Sequence, residues 1–156
     1  MDSTIKISVL GHQGTGKTQY INYFKGQEFD PKWFQKREKC LKSKVEVFGY
    51  QVEFSEMSPS EFLDDFNTFE EYLQDSQGVM IFVDPRQVVT IKNAKKCFEL
   101  IKRSCGKIPV IVCVNFKDMN DSETVILPDN YPYFHISCKN RENLENPILS
   151  LISKLK

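Results

Sequence analysis

Residues 11–18 read GHQGTGKT, and no other stretch constrains the fold as strongly. Gly11, Gly14, Gly16, Lys17 and Thr18 fill the pattern G-x-x-x-x-G-K-[ST], with Thr15 inside the wrap. Glycine lets a backbone curl closely enough to aim its N–H groups at phosphate oxygens, and a helix starting just after adds its positive end. Lys17 is placed to neutralise outer phosphates, and the Thr18 hydroxyl to act as a magnesium ligand. The flanks fit that geometry. TIKISVL (4–10) alternates apolar and polar residues and predicts a strand running straight into Gly11. Tyr20, Ile21 and Phe24 are spaced for one face of a helix beginning after Gly16.

The rest of the chain repeats the strand–helix rhythm. KSKVEVFGYQVEF predicts two strands joined at Gly49 and Tyr50 as a hairpin. Phe62, Phe66, Phe69 and Leu73 mark a helix. GVMIFVD (78–84) is apolar with little alternation, as in a strand covered on both faces. Asp84–Pro85 signals a helix start, with Val88, Ile91, Phe98 and Ile101 as its buried stripe and lysines on its wet side. IPVIVCV (108–114) and PYFHIS (132–137) are further strands. Leu144, Ile148, Leu151, Ile152 and Leu155 stripe a last helix, whose Pro147 must lie in the first turn. Such alternation predicts an α/β fold, with a mostly parallel sheet and helices on both faces. Ligands then bind beyond the carboxyl ends of the strands, where each motif falls.

Composition places few limits beyond an ordinary globular domain. The 156 residues carry 21 basic and 21 acidic side chains, so there is no net pull toward nucleic acid. The charges are unevenly spread. Six basic residues and only Glu38 on the acidic side lie between Lys32 and Lys44, whereas Glu53–Asp75 holds eight acidic residues and no Lys or Arg. Two solvated faces account for this, and so does a dipolar surface that orients a partner. Five cysteines, with no C-x-x-C pair, predict reduced thiols in a cytoplasmic protein. No run approaches the roughly 18 apolar residues of a membrane helix, residue 2 is Asp, and the chain closes on LISKLK. The expectation is no intrinsic membrane anchor and a monomer when alone.

The base-reading elements follow two of the strands. NFKD occupies 115–118 and SCK occupies 137–139. A carboxylate there, such as that of Asp118, accepts both the N1–H and N2–H of guanine, which adenine does not offer. Taken with GHQGTGKT and the order of elements, these motifs make the chain resemble the Ras superfamily of small GTPases over nearly its whole length. The resemblance implies a P-loop NTPase G domain over residues 1–156, with a six-stranded, mostly parallel sheet. It implies GTP or GDP with Mg²⁺ as ligands. It also implies that Asn115 braces the loops, that Asp118 reads guanine, and that the backbone around Ser137, Cys138 and Lys139 contacts the guanine oxygen. Phe29 stands where relatives carry an aromatic that stacks on the base, though an ordinary core aromatic would fit the sequence too. Phe116 replaces the lysine of N-K-x-D and can cover the base in its place.

Other departures cluster around the third phosphate. In EFSEMSPSEF, Glu56 stands for the Asp of D-x-x-G, Pro59 for its Gly and Ser60 for the catalytic Gln. Proline has no N–H to give a phosphate, and serine is too short to position an attacking water. No Thr lies between Thr18 and Thr68 to supply the second magnesium-binding hydroxyl; Lys32 follows Asp30–Pro31 where that site is approached. Gln13 crowds the position where many relatives have glycine. No catalytic residue is assigned. Only nineteen steps separate Asp118 from Ser137, so the fourth helix is expected to be shortened or missing. The reading is a guanine-nucleotide binder with little or no hydrolysis, meeting protein partners through residues 26–75. A pseudo-GTPase scaffold that binds no nucleotide is the alternative. A small P-loop kinase is a third, disfavoured by four scattered arginines.

Overall fold

The computed structural model describes residues 4–12, 14–26, 41–57, 66–105, 107–116 and 131–155. Six strands form one sheet: β1 (Ile5–Gly11), β2 (Leu41–Val47), β3 (Tyr50–Met57), β4 (Gly78–Val83), β5 (Val110–Val114) and β6 (Tyr133–His135). Their spatial order is β2-β3-β1-β4-β5-β6, and among the described strands only the β2–β3 pairing is antiparallel. The chain leaves β1 toward β3 and returns to its other side at β4. The strand order therefore reverses at β1, which places a ligand crevice at its carboxyl end.

Every residue of β4 and β5 is buried, which explains their unbroken apolar sequence. Met80, Phe82, Ile111 and Cys113 face one core, and Val79, Ile81, Val83, Val110, Val112 and Val114 face the other. The first core is closed by α1 (Lys17–Phe24) and α4 (Glu145–Lys154), through Tyr20, Ile21, Ile148, Leu151 and Ile152. The second is closed by α2 (Phe66–Leu73) and α3 (Val88–Cys105), through Phe69, Leu73, Ala94, Phe98 and Ile101. Pro147 sits in the first turn of α4, where its missing N–H costs nothing. Among the described residues, no helix is long and apolar enough to cross a membrane.

Two expectations are corrected. The hairpin turns on Phe48 and Gly49, with φ of 50° and 84°, and Tyr50 already pairs with Val47 inside the sheet. Positive φ at both central residues matches the right-handed twist of the flanking strands, as in a two-residue I′ turn. Val88 is not part of the buried stripe of α3 but is 64% exposed. The buried side runs instead through Thr90, Ala94, Cys97, Phe98 and Ile101. The cause is local: the Asp84 carboxylate accepts from the backbone N–H of Arg86 (3.0 Å), which makes 84–86 a turn, and the helix begins at Val88. Phe62 and the stretch 117–130, where the fourth helix is expected to be shortened or missing, lie outside the described residues.

Tyr20 links the two helices of the first core. Its ring meets Phe82 and Phe24 edge-on at 5.3 and 5.1 Å, and its hydroxyl donates to the carbonyl of Leu144 at 2.7 Å. Tyr20→Phe keeps the packing and strips that buried carbonyl of this partner. The expected loss is about 1–3 kcal/mol of stability, read by chemical denaturation with an unchanged slope.

Candidate nucleotide-binding site

The loop from Gly11 to Gly16 caps the carboxyl end of β1 and leads into α1. Gly14 and Gly16 have φ of 85° and 97°, in the left-handed region that favours glycine. Gly16 is doubly constrained, because a Cβ there would lie 2.0 Å from the side-chain nitrogen of Asn115. Gly11 is also tight, though less so, with a Cβ falling 2.8 Å from the carbonyl of Phe82 on neighbouring β4. The Thr15 hydroxyl donates to the carbonyl of His12 at 2.8 Å and fixes the curl from inside.

Lys17 is 2% exposed, and its ammonium donates to the carbonyls of Gly11 (2.8 Å) and His12 (3.1 Å). Burial lowers its pKa to about 8, against the opposing pull of the Glu56 carboxylate. Glu56 is the penultimate residue of β3, is buried, and accepts a hydrogen bond from the Thr18 hydroxyl. Its own pKa is raised by burial, although Thr18 and Lys17 hold it down. Thr18 and Glu56 thus bring two oxygen donors together at the foot of the loop. That donor chemistry fits Mg²⁺, which takes one or two protein oxygens and completes its shell with water and phosphate.

Asn115 follows β5 and connects three segments. Its amide N–H donates to the carbonyl of Thr15 (3.0 Å). Its oxygen accepts from the backbone N–H groups of Phe116 (2.8 Å) and Cys138 (3.2 Å). Cys138 reaches the same loop, its thiol lying 3.8 Å from the carbonyl of Gly16. Ser137 is buried and its hydroxyl accepts from the N–H of Asn140 (3.0 Å), which shapes the turn carrying the exposed Lys139. Gly11, Gly14, Thr15, Gly16, Lys17, Thr18, Asn115, Phe116, Ser137, Cys138 and Lys139 therefore gather at one end of the sheet. Phe29, Asp118, Gln13, Lys32, Pro59 and Ser60 lie outside the described residues.

Sequence reading missed one group at this end. Arg86 forks onto the Asp84 carboxylate through two N–H···O contacts of 2.9 Å, and its guanidinium lies 4.1 Å from the centre of the Phe116 ring. The DPR tripeptide carries an acid and a base two residues apart, but nothing in it points to a residue thirty positions later. Phe116 itself is half-buried with φ of 72°, a conformation that costs a bulky residue roughly 1–3 kcal/mol and is held here by its bond to Asn115.

A phosphate-type loop before a helix, at the switch point of a doubly covered parallel sheet, defines a nucleotide-binding domain of the phosphate-loop class. The model of the Ras family matches residues 6–156, and the chain belongs to that family. It is therefore a Ras-like GTP-binding domain by class, and such domains generally take guanine nucleotides with Mg²⁺.

Two outcomes follow from this geometry. Gly16→Ala meets both a forbidden φ and the Asn115 amide, so it should destabilise the protein by more than about 2 kcal/mol, measured by urea titration. Lys17 sets a pH dependence for the ligand-free protein. The unfolded lysine keeps its proton to about 10.5 and the folded one only to about 8. Between those values the unfolded chain binds more protons, so this residue makes stability rise with pH from about 8 to about 10.5. Measured against Lys17→Met, the parent should gain stability across that window; a parallel pair of curves would contradict the depressed pKa.

Proposed function

We propose that this chain binds GTP or GDP with Mg²⁺, hydrolyses GTP little or not at all, and acts through protein partners that meet residues 26–75. The observation that carries the binding half is the Asn115 bridge between the phosphate loop and the turn at Cys138. A nucleotide must be gripped at both its phosphates and its base, and one buried amide fixes the distance between those two grips. Lys17 supplies the buried positive charge for the phosphates. Thr18 and Glu56 would hold the metal, which when bound adds positive charge against the phosphate oxygens. Asp118 is the reader of guanine, Phe29 and Phe116 are the aromatic covers for the base, and the backbone at Ser137–Lys139 meets its carbonyl oxygen.

The half concerning turnover rests on sequence. Phosphoryl transfer to water needs a group that aims the water and donors that gather charge on the third phosphate. Pro59 has no N–H, Ser60 is short, and no threonine stands near Lys32. A protein with so few contacts to the third phosphate also has little means of distinguishing GTP from GDP, because a ligand shifts a conformational equilibrium only through differential contacts.

Calorimetric titration and single-turnover assays test both halves. GTP and GDP should bind within about tenfold of each other, and Lys17→Ala should weaken both by at least about tenfold, the value of a charge-assisted phosphate contact. Hydrolysis in one turnover should barely exceed a protein-free control. Phosphate release over many turnovers, abolished by Lys17→Ala, would overturn the claim of weak hydrolysis. A folded protein that takes up neither nucleotide would overturn binding and leave the scaffold.

A further inference from the structure

We propose that Arg86 is a positioning residue for nucleotide binding, which stiffens the Phe116 ring into a stacking platform for a purine base. The inference rests on the guanine-nucleotide reading above and assigns a part of that site to the turn after β4. The guanidinium lies over the Phe116 ring at 4.1 Å. Arg86 is itself exposed, but both oxygens of Asp84 hold its guanidinium at 2.9 Å and Asp84 is 1% exposed. Asp84 is fixed in turn. Its N–H donates to the Thr90 hydroxyl (3.0 Å), and that hydroxyl lies 2.8 Å from the carbonyls of Asp84 and Gln87. On its other side, Phe116 is tied through its N–H to Asn115, and Asn115 to the phosphate loop. A continuous series of contacts thus runs from the start of α3 to the phosphate loop, with the phenyl ring inside it.

A half-buried phenyl ring in a left-handed backbone conformation has no reason of its own to hold one orientation. With the cation on one face, the ring plane is set and its π density is drawn toward that face. The opposite face is then suited to an electron-rich planar heterocycle, and stacking on an oriented ring loses less entropy than stacking on a mobile one. The Asp84–Arg86 pair provides the rigidity from behind the ring.

The test separates base contacts from phosphate contacts by titrating GDP and inorganic pyrophosphate, each with Mg²⁺, into the parent, Arg86→Ala, Arg86→Lys, Phe116→Ala and the Arg86→Ala/Phe116→Ala pair. Arg86→Ala should weaken GDP by roughly three- to tenfold and leave pyrophosphate unchanged. Arg86→Lys, which keeps the cation, should recover part of that loss. In the double variant, removing Arg86 should cost nothing beyond the loss from Phe116→Ala alone. Thermal melts check folding, and Arg86→Gln, which keeps the stem, takes the place of an Arg86→Ala that fails to fold. Equal weakening of both ligands, or of neither, would overturn the role of Arg86. Phe116→Ala without effect on GDP would overturn the platform while guanine-nucleotide binding stands. A folded parent that binds no GDP would overturn the nucleotide reading itself, and the platform with it.

Discussion

The side-chain amide of Asn115 joins the parts of this site that sequence leaves far apart. One donor goes to Thr15 in the phosphate loop, and one oxygen serves the N–H groups of Phe116 and Cys138. The residue is 2% exposed and its bonds to Thr15 and Cys138 are buried, so a lost partner there would leave a buried polar group unsatisfied. Gly16 is a consequence of this arrangement, because the amide occupies the space where any side chain would begin. The sheet places the bridge: β5 pairs with β4 and β6, bringing Asn115 level with the ends of both neighbours.

A second constraint is electrostatic. Lys17 and Glu56 are both buried, and each shifts toward its neutral form because burial penalises charge more than the opposite partner repays. The ammonium is satisfied by carbonyls of its own loop and the carboxylate by the Thr18 hydroxyl. These groups are therefore oriented by the protein before any phosphate or metal meets them. Preorganised dipoles of this kind lower the ordering cost of binding.

Much of this could be read from the residues because the relevant signals are local. The glycine pattern of 11–18, the apolar runs of β4 and β5, and Pro147 in a first turn each follow from a few neighbouring side chains. The turn at Phe48–Gly49 was displaced by one residue, because a phenylalanine with positive φ is an unusual choice that only the twist of the hairpin favours. Val88 looked like a core position by spacing, yet Asp84 spends its carboxylate on Arg86 and delays the helix. The contact of Arg86 with Phe116 joins the ends of two adjacent strands and has no periodic trace. It depends on the parallel pairing of Val83 with Val114, a register set by the whole sheet.

On the proposed reading, the hydrogen-bonded frame around Asn115 holds a guanine nucleotide. Denaturing the freshly purified protein and chromatographing the released small molecules tests it most directly. The account predicts GDP or GTP in near-stoichiometric amount from the parent and its loss from a folded Lys17→Ala variant. A parent that releases no nucleotide, and stays empty after incubation with GDP and Mg²⁺, would contradict it.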